Sequence, residues 1–326
     1  MLKKLLTLLA DGELHSGESL GDALGLSRAA VWKQIQRMME LGFSVNSTKG
    51  QGYQLGAAIN MLDADLIKEN LDTGALSQLT ALDLQWIIPS TNAYCLSLLA
   101  ANSPASGYVC LAEQQSQGRG RRGRIWASPL AANIYLSVIW RFSGGVDALE
   151  GLSLAVGLAV VEALDRMCGL ADVRLKWPND ILWRGCKLGG ILIEMTGDTS
   201  GPCGVVIGLG LNVCMPSNFG QKIEQAWVDL AGAMNATPSR NVVVAALLNS
   251  LLPLLAEYET HGFAFYRERW ARYDAYYDAD VMVQQGEHAP ACVGVAKGVT
   301  EQGALLVDVD GVQRSFKSGE VSLRRV

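Results

Sequence analysis

The sequence predicts an α+β protein in three parts: a helical head with a β-hairpin, a mixed α/β centre and a small β-barrel. Three observations support this fold class. Leucines at helical spacing and glycine stops mark the head, apolar strand-like runs alternate with helical stretches in the centre, and short strands separated by glycines fill the C-terminal end. The pattern changes near residues 60 and 280, so we expect domains at 1–60, 61–279 and 280–326.

The head is predicted to be a winged helix-turn-helix. Leucines at 2, 5, 6 and 9 keep helical spacing until Gly12, a second helix over 18–24 ends at Gly25, and Ser27 is the expected cap of a third helix over 28–40. A tight turn between the last two helices is typical of this motif. Strand-like stretches at 43–45 and 53–55 flank a glycine turn, which predicts the wing.

A winged helix-turn-helix places its third helix in the DNA major groove, so DNA binding is the predicted role of the head. The head has six basic and five acidic residues, and this near-neutral balance leaves open a domain that serves only protein contacts. It also implies weak DNA binding by one copy, which dimerisation would strengthen. The predicted DNA-contacting residues are Ser27, Arg28, Lys33, Gln34, Arg37 and Lys49.

The centre is predicted to form a three-layer or sheet-on-helix domain, and the C-terminal end a small barrel. The predicted central strands are 82–88, 108–112, 133–140, 173–177, 189–195 and 204–213, and the predicted helices are 91–101, 147–167, 241–261 and 263–277. The predicted barrel strands are 281–284, 291–296, 304–309, 312–316 and 321–324.

Composition excludes several classes of protein. The 326 residues are 49% hydrophobic and 18% charged, which predicts a globular chain, and the net charge of -5 argues against non-specific coating of nucleic acid. Seven scattered cysteines without a C-x-x-C pair indicate a reducing cytoplasm, and His15, His261 and His288 are too far apart to suggest a protein-caged metal. No apolar run approaches the ~20 residues of a membrane span, so we expect a soluble cytoplasmic protein.

The stretch 118–124 is the strongest candidate for a binding loop, because its seven residues are three glycines and four arginines. Arginine is a permanent fork of donors and glycine lets backbone N–H groups approach an oxyanion, so the loop suits phosphate or carboxylate. The glycines also spell G-x-G-x-x-G, but Pro129 follows and no amphipathic helix begins, so we reject a dinucleotide fold. An ordinary solvated basic loop is the alternative.

Three further stretches carry lysines, polar groups or close glycines. They are Lys176 to Asp180, which reads KWPND, Lys187 to Gly190, which reads KLGG, and Gly208 to Asn212, which reads GLGLN. Each stretch alone is a weak signal, since lysines are usually solvated and paired glycines usually make bends. Together with the arginine loop they predict a pocket for a polyanion.

These motifs together resemble the biotin protein ligase family, specifically the bifunctional bacterial members that are also repressors of the biotin operon. Ser90-Thr91-Asn92, the stretch 27–33 and the stretch 318–324 also resemble the family, so the likeness covers the full length. It implies a catalytic domain like that of biotin and lipoate ligases, placed between a winged helix-turn-helix and an SH3-like β-barrel.

The resemblance implies a reaction in two halves. Biotin and ATP, with Mg²⁺, would give biotinoyl-5′-AMP, and the biotinoyl group would then pass to one lysine of the biotin carboxyl carrier protein of acetyl-CoA carboxylase. It also implies that biotinoyl-AMP promotes a homodimer that binds operator DNA and represses biotin synthesis.

The resemblance also assigns roles to residues. Arg121 and Lys187 would be catalytic, and Mg²⁺ would bind near Asp180 with ATP. The implied biotin-binding residues are Ser90, Thr91, Asn92, Gln115, Arg119, Gly120, Arg121 and Lys187. The residues implied for ATP and the AMP phosphate are Arg119, Arg121, Arg124, Lys176, Asn179, Asp180, Asn212, Trp227 and Arg324. For Trp227 and Arg324, ordinary packing and a solvated end are the alternatives.

Two rival functions stay open at this point. A ligase of the same fold that uses lipoate or octanoate is disfavoured by the arginine loop and the winged head. A transcription factor that senses a ligand without catalysis is disfavoured by the complete set of Lys176, Asp180 and Lys187, which binding alone would not require.

Overall fold

A computed structural model of the chain describes residues 1–56, 59–101, 104–145, 149–197, 201–221, 223–286, 290–319 and 321–326. The head is three helices and a hairpin, as predicted, with a hydrophobic core of its own. Ser16 and Ser27 cap the second and third helices by accepting hydrogen bonds from backbone N–H groups. The head elements are α1 (Leu2–Leu9), α2 (Gly17–Leu24), α3 (Arg28–Glu40), β1 (Val45–Thr48) and β2 (Gly52–Leu55).

The central domain is organised by a seven-stranded mixed sheet. Its first two strands in the chain are parallel and every other neighbouring pair is antiparallel. The spatial order is β3-β4-β5-β9-β8-β7-β6. The strands are β3 (Ala81–Ile88), β4 (Tyr108–Gln115), β5 (Ile134–Phe142), β6 (Val173–Lys176), β7 (Asp180–Trp183), β8 (Cys186–Gly197) and β9 (Cys203–Leu211).

Helices cover both faces of this sheet. Helix α6 (Thr91–Ala100) packs on one face through a small apolar cluster that includes Cys95, Cys110 and Val206. The large core lies on the opposite face, where α7 (Leu152–Cys168) and α10 (Arg240–His261) pack. Period-two alternation along the strands separates the two cores, which confirms the mixed α/β prediction.

Helix α10 is long and apolar enough to cross a membrane by length and composition alone. However, 61% of its apolar window is buried inside the protein, where it packs on α7 and on two short helices, α4 (Ala64–Glu69) and α5 (Thr73–Gln78). It is therefore the core helix of this fold.

The C-terminal end is a five-stranded antiparallel sheet in the order β13-β12-β11-β10-β14, and its five strands lie where the sequence predicted strands. It packs against the centre, since Val281 and Val307 belong to the large central core and the indole of Trp177 donates to the carbonyl of Gly303 at 3.0 Å. The strands are β10 (Asp280–Gln285), β11 (Cys292–Val299), β12 (Leu305–Val309), β13 (Val312–Phe316) and β14 (Val321–Arg325).

Several predicted elements were wrong or missing. The helix predicted over 263–277 is a 3₁₀ turn (Phe263–Phe265) and a short helix, α11 (Arg267–Ala271). The helix ends there because the chain becomes extended: the carbonyl of Tyr273 accepts from the N–H of Leu175, and the N–H of Ala275 donates to the carbonyl of Leu175. Strand β7 was not predicted, and neither were α4 and α5 or two short helices, α8 (Ser217–Gly220) and α9 (Leu230–Met234). Residue 147, the predicted start of α7, lies outside the described residues.

A buried ion pair fixes the segment that joins the head to the centre. Arg240 on α10 lies 2.7 Å from Glu113 on β4, and their side chains are 2% and 6% exposed. Arg240 also donates to the carbonyl of Asn60, while Glu113 accepts from the backbone N–H of Leu62 at 2.7 Å. One charged pair thus joins the linker, a strand and a helix.

We expect Arg240→Met to destabilise the protein by about 3–5 kcal/mol, because it leaves Glu113 buried and uncompensated. Arg184→Met is the matched control, since the Arg184–Asp172 pair is 66% and 49% exposed and such pairs contribute at most about 1 kcal/mol. Urea unfolding of both variants measures the difference, and equal midpoints would contradict a structural role for the buried pair.

Candidate functional site

The candidate site lies on the sheet face that carries α6, between this helix, the arginine loop and the β7–β8 hairpin. The floor of the site is made of glycines. A Cβ on Gly208 would come within 2.2 Å of the Asn92 side chain, and one on Gly210 within 2.5 Å of the Trp126 ring. Only glycine permits these approaches, which explains the GLGLN stretch by packing rather than by turn formation.

A buried polar cluster occupies the α6 end of the site. Thr91 and Asn92, each 4% exposed, lie on the first turn of α6 beside the hydroxyl of Ser137, which is 2.7 Å from the Thr91 hydroxyl and 2.6 Å from Asn92 Oδ1. Gln115 Oε1 accepts from the Thr91 N–H at 2.8 Å. Ser90 caps the helix by accepting from the N–H of Ala93 at 3.4 Å. The cluster suits a ligand with both donors and acceptors.

Glu194 connects this cluster to the arginine loop. Its Oε2 accepts from the amide of Asn92 at 2.8 Å and from the guanidinium of Arg119 at 3.3 Å. Asn92 and Arg119, two of the residues implied for biotin binding, therefore both contact one carboxylate oxygen of Glu194, a residue that sequence analysis did not single out.

The arginine loop contains a single 3₁₀ turn (Arg121–Gly123) and no α-helix, in agreement with the rejection of a dinucleotide fold. Trp126 extends from the loop over the glycine floor, and its indole N–H is buried without a partner in the described part of the chain. The Lys187 ammonium lies 5.6 Å from the centre of this ring. The loop thereby covers the floor of the site.

A cationic cluster occupies the other end of the site around Asp180. Lys187 Nζ lies 2.5 Å from Asp180 Oδ1, and Lys176 Nζ lies 3.9 Å from Oδ2. All three side chains are under 20% exposed. One carboxylate thus faces two ammonium groups, and the surplus positive charge suits an anion.

Burial and neighbouring charges shift the pKa values of two cations at this end of the site. Burial lowers the pKa of Lys176, Asp180 acts in the opposite direction, and repulsion from Lys187, Arg124 and Arg324 lowers it further. Burial also lowers the pKa of the Arg121 guanidinium, which Asp180 raises again. The predicted phosphate-binding cations therefore lie close enough to repel one another.

Arg121 ties the loop to two other parts of the structure. Nη1 donates to Asn179 Oδ1 at 3.2 Å, and Nη2 donates to the carbonyls of Ser318 and Gly319, which lie between β13 and β14. Asn179 is itself fixed, because its Nδ2 donates to the carbonyl of Ile191 at 2.7 Å. Arg121 therefore bridges the loop, the KWPND stretch and the barrel.

Three predicted nucleotide contacts have other partners in this structure. Asn212 is 4% exposed and its amide donates to the carbonyl of Val228 at 3.1 Å. The Trp227 indole donates to Gly220 at 3.2 Å, although its backbone is bridged to that of Lys187. Arg324 lies on β14 and affects the cluster through the repulsion of Lys176.

The predicted DNA-contacting residues lie on the exposed side of α3 and in the wing. Arg28, Lys33, Arg37 and Lys49 are exposed, and Gln34 is half-buried. Ser27 caps α3 by accepting from the N–H of Ala30 at 3.3 Å, and Arg28 pairs with Glu18 at 2.5 Å. The face is open to a partner.

Sequence reasoning missed Ser137, Glu194, Trp126 and Ser128 as functional residues. Ser137 and Glu194 had a detectable signal, since each is a polar residue with apolar residues directly before and after it in its strand. Trp126 and Ser128 directly follow the predicted binding loop, but their contacts depend on the folded loop, where Gln115 Nε2 donates to Ser128 at 3.2 Å.

A protein-caged metal has no candidate among the described residues, which contain no group of three or more His, Cys, Asp or Glu suited to an ion. Asp180 is the carboxylate of the cationic cluster, and Mg²⁺ usually takes one or two carboxylates together with substrate phosphates. Its donor set fits an ion that arrives with a nucleotide. His288 lies outside the described residues.

Three family models match the chain in sequence order. An HTH domain matches residues 1–54, the biotin/lipoate A/B protein ligase family matches 85–212, and the biotin protein ligase C terminal domain matches 281–324.

Similar proteins cover nearly the whole chain. The bifunctional ligase/repressor BirA of Salmonella typhimurium is 42% identical over 98% of this chain and 96% of its own length, and that of Escherichia coli is 41% identical over the same shares. The structure resembles the biotin protein ligase from Aquifex aeolicus in complex with biotin and ATP, with a TM-score of 0.64 and 25% identity over 76% of this chain and 100% of that one.

A buried carboxyl, that of Asp274, provides a pH-dependent test of stability. Asp274 lies between Tyr273 and Ala275, which bond to the backbone of Leu175. Its Oδ1 accepts from the N–H of Tyr276 at 3.0 Å, and its Oδ2 is buried without a partner in the described ranges. Burial raises the pKa of Asp274 to about 6.

We expect Asp274→Asn to alter how stability depends on pH. Because the folded state has the higher pKa, the wild type loses stability as pH rises from about 4 to about 6, where the unfolded carboxyl ionises first. The variant lacks this loss, so its stability relative to wild type should rise by up to about 3 kcal/mol between pH 4 and pH 7. Urea unfolding across that range measures the difference, and parallel curves would contradict it.

We also expect Glu194→Gln to loosen the arginine loop, because the variant keeps an acceptor for Asn92 but loses the charge that attracts Arg119. Such a half-exposed pair contributes up to about 1 kcal/mol, so trypsin should cleave the loop about two to five times faster. Glu162→Gln is the matched control, since Glu162 pairs with Arg269 away from the loop. Equal cleavage of all three proteins would refute the role of Glu194.

Proposed function

Because this chain belongs to the family of bifunctional biotin ligase/repressors, we propose that it activates biotin with ATP, transfers it to a lysine of a biotin carboxyl carrier protein, and represses transcription through its head. One observation carries the chemical half of this proposal. A neutral polar cluster and a cationic cluster lie on the same glycine floor and are spanned by the arginine loop.

The polar cluster is the proposed site for the ureido ring of biotin. This ring carries N–H donors and a carbonyl acceptor, and burying it without partners would be unfavourable. Thr91, Asn92 and Gln115 offer both kinds of group, and Ser90 orients them as the cap of α6. The apolar remainder of the ligand would lie over the glycines, with Trp126 moving to cover it.

The cationic cluster is the proposed site of adenylation. A carboxylate oxygen of biotin bonds to the α-phosphorus as the bond from phosphorus to the β-bridging oxygen breaks, and pyrophosphate leaves with that electron pair. Lys187 would hold the two negatively charged groups together, and Lys176 would stabilise the charge that develops on the phosphate. Mg²⁺ would be bound by the phosphates and Asp180, and it supplies further positive charge.

The second half of the reaction needs the acyl-adenylate to stay away from water. The amine of the carrier lysine attacks the acyl carbon, AMP leaves with the electrons of the acyl–phosphate bond, and the amine loses a proton. Arg119, Gly120, Arg121 and Arg124 are the proposed residues that enclose the intermediate. Arg121 would exchange its present carbonyl partners in the barrel for phosphate oxygens.

The remaining nucleotide contacts are proposed with distinct roles. Asn179 positions Arg121, and Asn212 positions the backbone of Lys187 and Val228. Trp227 would cover the adenine ring after leaving Gly220, and Arg324 would approach the nucleotide from the barrel.

The regulatory half of the proposal concerns the whole chain. We propose domains at 1–60, 61–279 and 280–326, a cytoplasmic location, and a homodimer that biotinoyl-AMP promotes. Ser27, Arg28, Lys33, Gln34, Arg37 and Lys49 would then bind a palindromic operator as two copies. Promotion of the dimer by the intermediate would raise operator affinity through linkage.

Incubation with ATP labelled at the α-phosphate, Mg²⁺ and either biotin or lipoate tests the chemical proposal. Labelled biotinoyl-AMP should form and lipoyl-AMP should not. The opposite result would indicate a lipoate ligase of the same fold, and no acyl-AMP from either acid would indicate a ligand sensor without catalysis.

We expect Lys187→Met to reduce the rate of biotinoyl-AMP formation about 100- to 1,000-fold, the effect of losing one charge-stabilising donor. Methionine keeps most of the side-chain volume, so folding should be little affected. Lys68→Met is the control, because Lys68 is an exposed lysine on α4. Pyrophosphate release measured in a single turnover gives the rate, and an unchanged rate would refute the assignment of Lys187.

A further inference from the structure

Helix α3 exposes one large aromatic side chain that has no role in the proposal above. The chain has eight tryptophans, all within the described residues, and Trp32 is the one that is exposed, at 52%. Single exposed apolar residues are common on protein surfaces, so exposure alone does not indicate a binding site. Trp32, however, lies among the exposed basic residues of α3.

The two sides of α3 have opposite character. Val31, Ile35 and Met38 are buried in the core of the head. Trp32 follows Arg28 by four residues, which places the two side chains on the same face one helical turn apart. Trp32 is therefore the aromatic group of the outward face, in the N-terminal half of the helix.

The charge of this outward face favours a nucleic acid. Arg28, Lys33 and Arg37 are exposed on the half of the helix that faces away from the core, and the helix has no acidic residue before Glu40. Arg28 pairs with Glu18, whereas Lys33 and Arg37 have no ion pair among the described residues. Cations at the borders of a recognition helix bind phosphates and fix its position, while groups between them meet the edges of the bases.

From this juxtaposition, and resting on the proposed repressor function, we infer that Trp32 is a base-reading residue whose indole contacts the C5-methyl group of a thymine in the operator. Thymine is the base that presents an apolar methyl group in the major groove, and apolar side chains read it by contact. The N-terminal residues of a recognition helix are those that reach base edges. Trp32 would thus add sequence specificity to the affinity that the cations provide.

The test uses the full chain with biotin, ATP and Mg²⁺. Wild-type protein first selects duplexes from a random palindromic pool, and each thymine of a selected duplex is then replaced by deoxyuridine, which lacks the methyl group. One replacement per half-site should weaken wild-type binding about tenfold. Trp32→Ala should bind the thymine duplex about tenfold more weakly and should not distinguish thymine from uracil, whereas Trp32→Phe should still distinguish them.

Lys33→Ala is the matched control on the same helix face. It should weaken binding to selected and unrelated duplexes alike, and it should reduce the salt dependence of binding by about one released ion for each phosphate that the lysine neutralises. Unchanged helical circular dichroism and an unchanged urea-unfolding curve of Trp32→Ala show that the head of the variant is folded, and unchanged biotinoyl-AMP formation shows the same for the centre. If that variant fails to fold, the thymine and uracil comparison with wild type and Trp32→Phe decides.

Three results would overturn the inference. The first is that Trp32→Ala binds the thymine duplex as tightly as the wild type does. The second is that no deoxyuridine replacement changes the affinity of the wild type. Loss of dimerisation by Trp32→Ala without DNA would assign the indole to a contact between copies. Failure of the wild type to select any sequence would instead contradict the repressor function itself, so the two failures are distinguishable.

Discussion

The pairing of Asp180 with Lys187 and Lys176 is the interaction on which the candidate site depends. The side chains of Lys176 and Lys187 are each under 20% exposed, and the Asp180 carboxylate opposes the burial and the repulsion from Lys187 that lower the pKa of Lys176. Asp180 pairs with Lys176 in the register of β6 and β7. Lys187 pairs with Leu182 in the register of β7 and β8, just after an irregularity between Ile181 and Leu182. The short hairpin that sequence analysis missed is thus what assembles the cluster.

The two ends of the site differ in charge and in exposure, although they lie on the same glycine floor. The α6 end is neutral and buried, which favours hydrogen-bond selection of a ligand over charge attraction. The Asp180 end is cationic and more open, which favours binding of a polyanion. Glu194 and Arg121 lie between these ends and fix the arginine loop to α6, to the KWPND stretch and to the barrel. Loop movement therefore requires exchange of partners rather than melting of structure.

Sequence predicted the three-part fold well, because periodicity and glycine stops report local structure directly. It failed where tertiary contacts decide. Residues 273–275 have a helical pattern but become extended to bond with Leu175, and β7 is too short to be distinguished from a turn. The motif residues were found, yet their partners were not, since Ser137 and Glu194 are isolated polar residues whose importance appears only when α6 and the loop lie above them.

The segment that follows the arginine loop packs against the head. Leu130, six residues after the arginine loop, is 3% exposed and belongs to the hydrophobic core of the head. The next residue, Ala131, has a φ of 56° and donates its N–H to the carbonyl of Glu113. The same Glu113 pairs with Arg240 and accepts from the linker at Leu62. Packed cores shift between discrete arrangements rather than deforming freely. Movement of the arginine loop therefore either stops before Leu130 or changes the packing of the head.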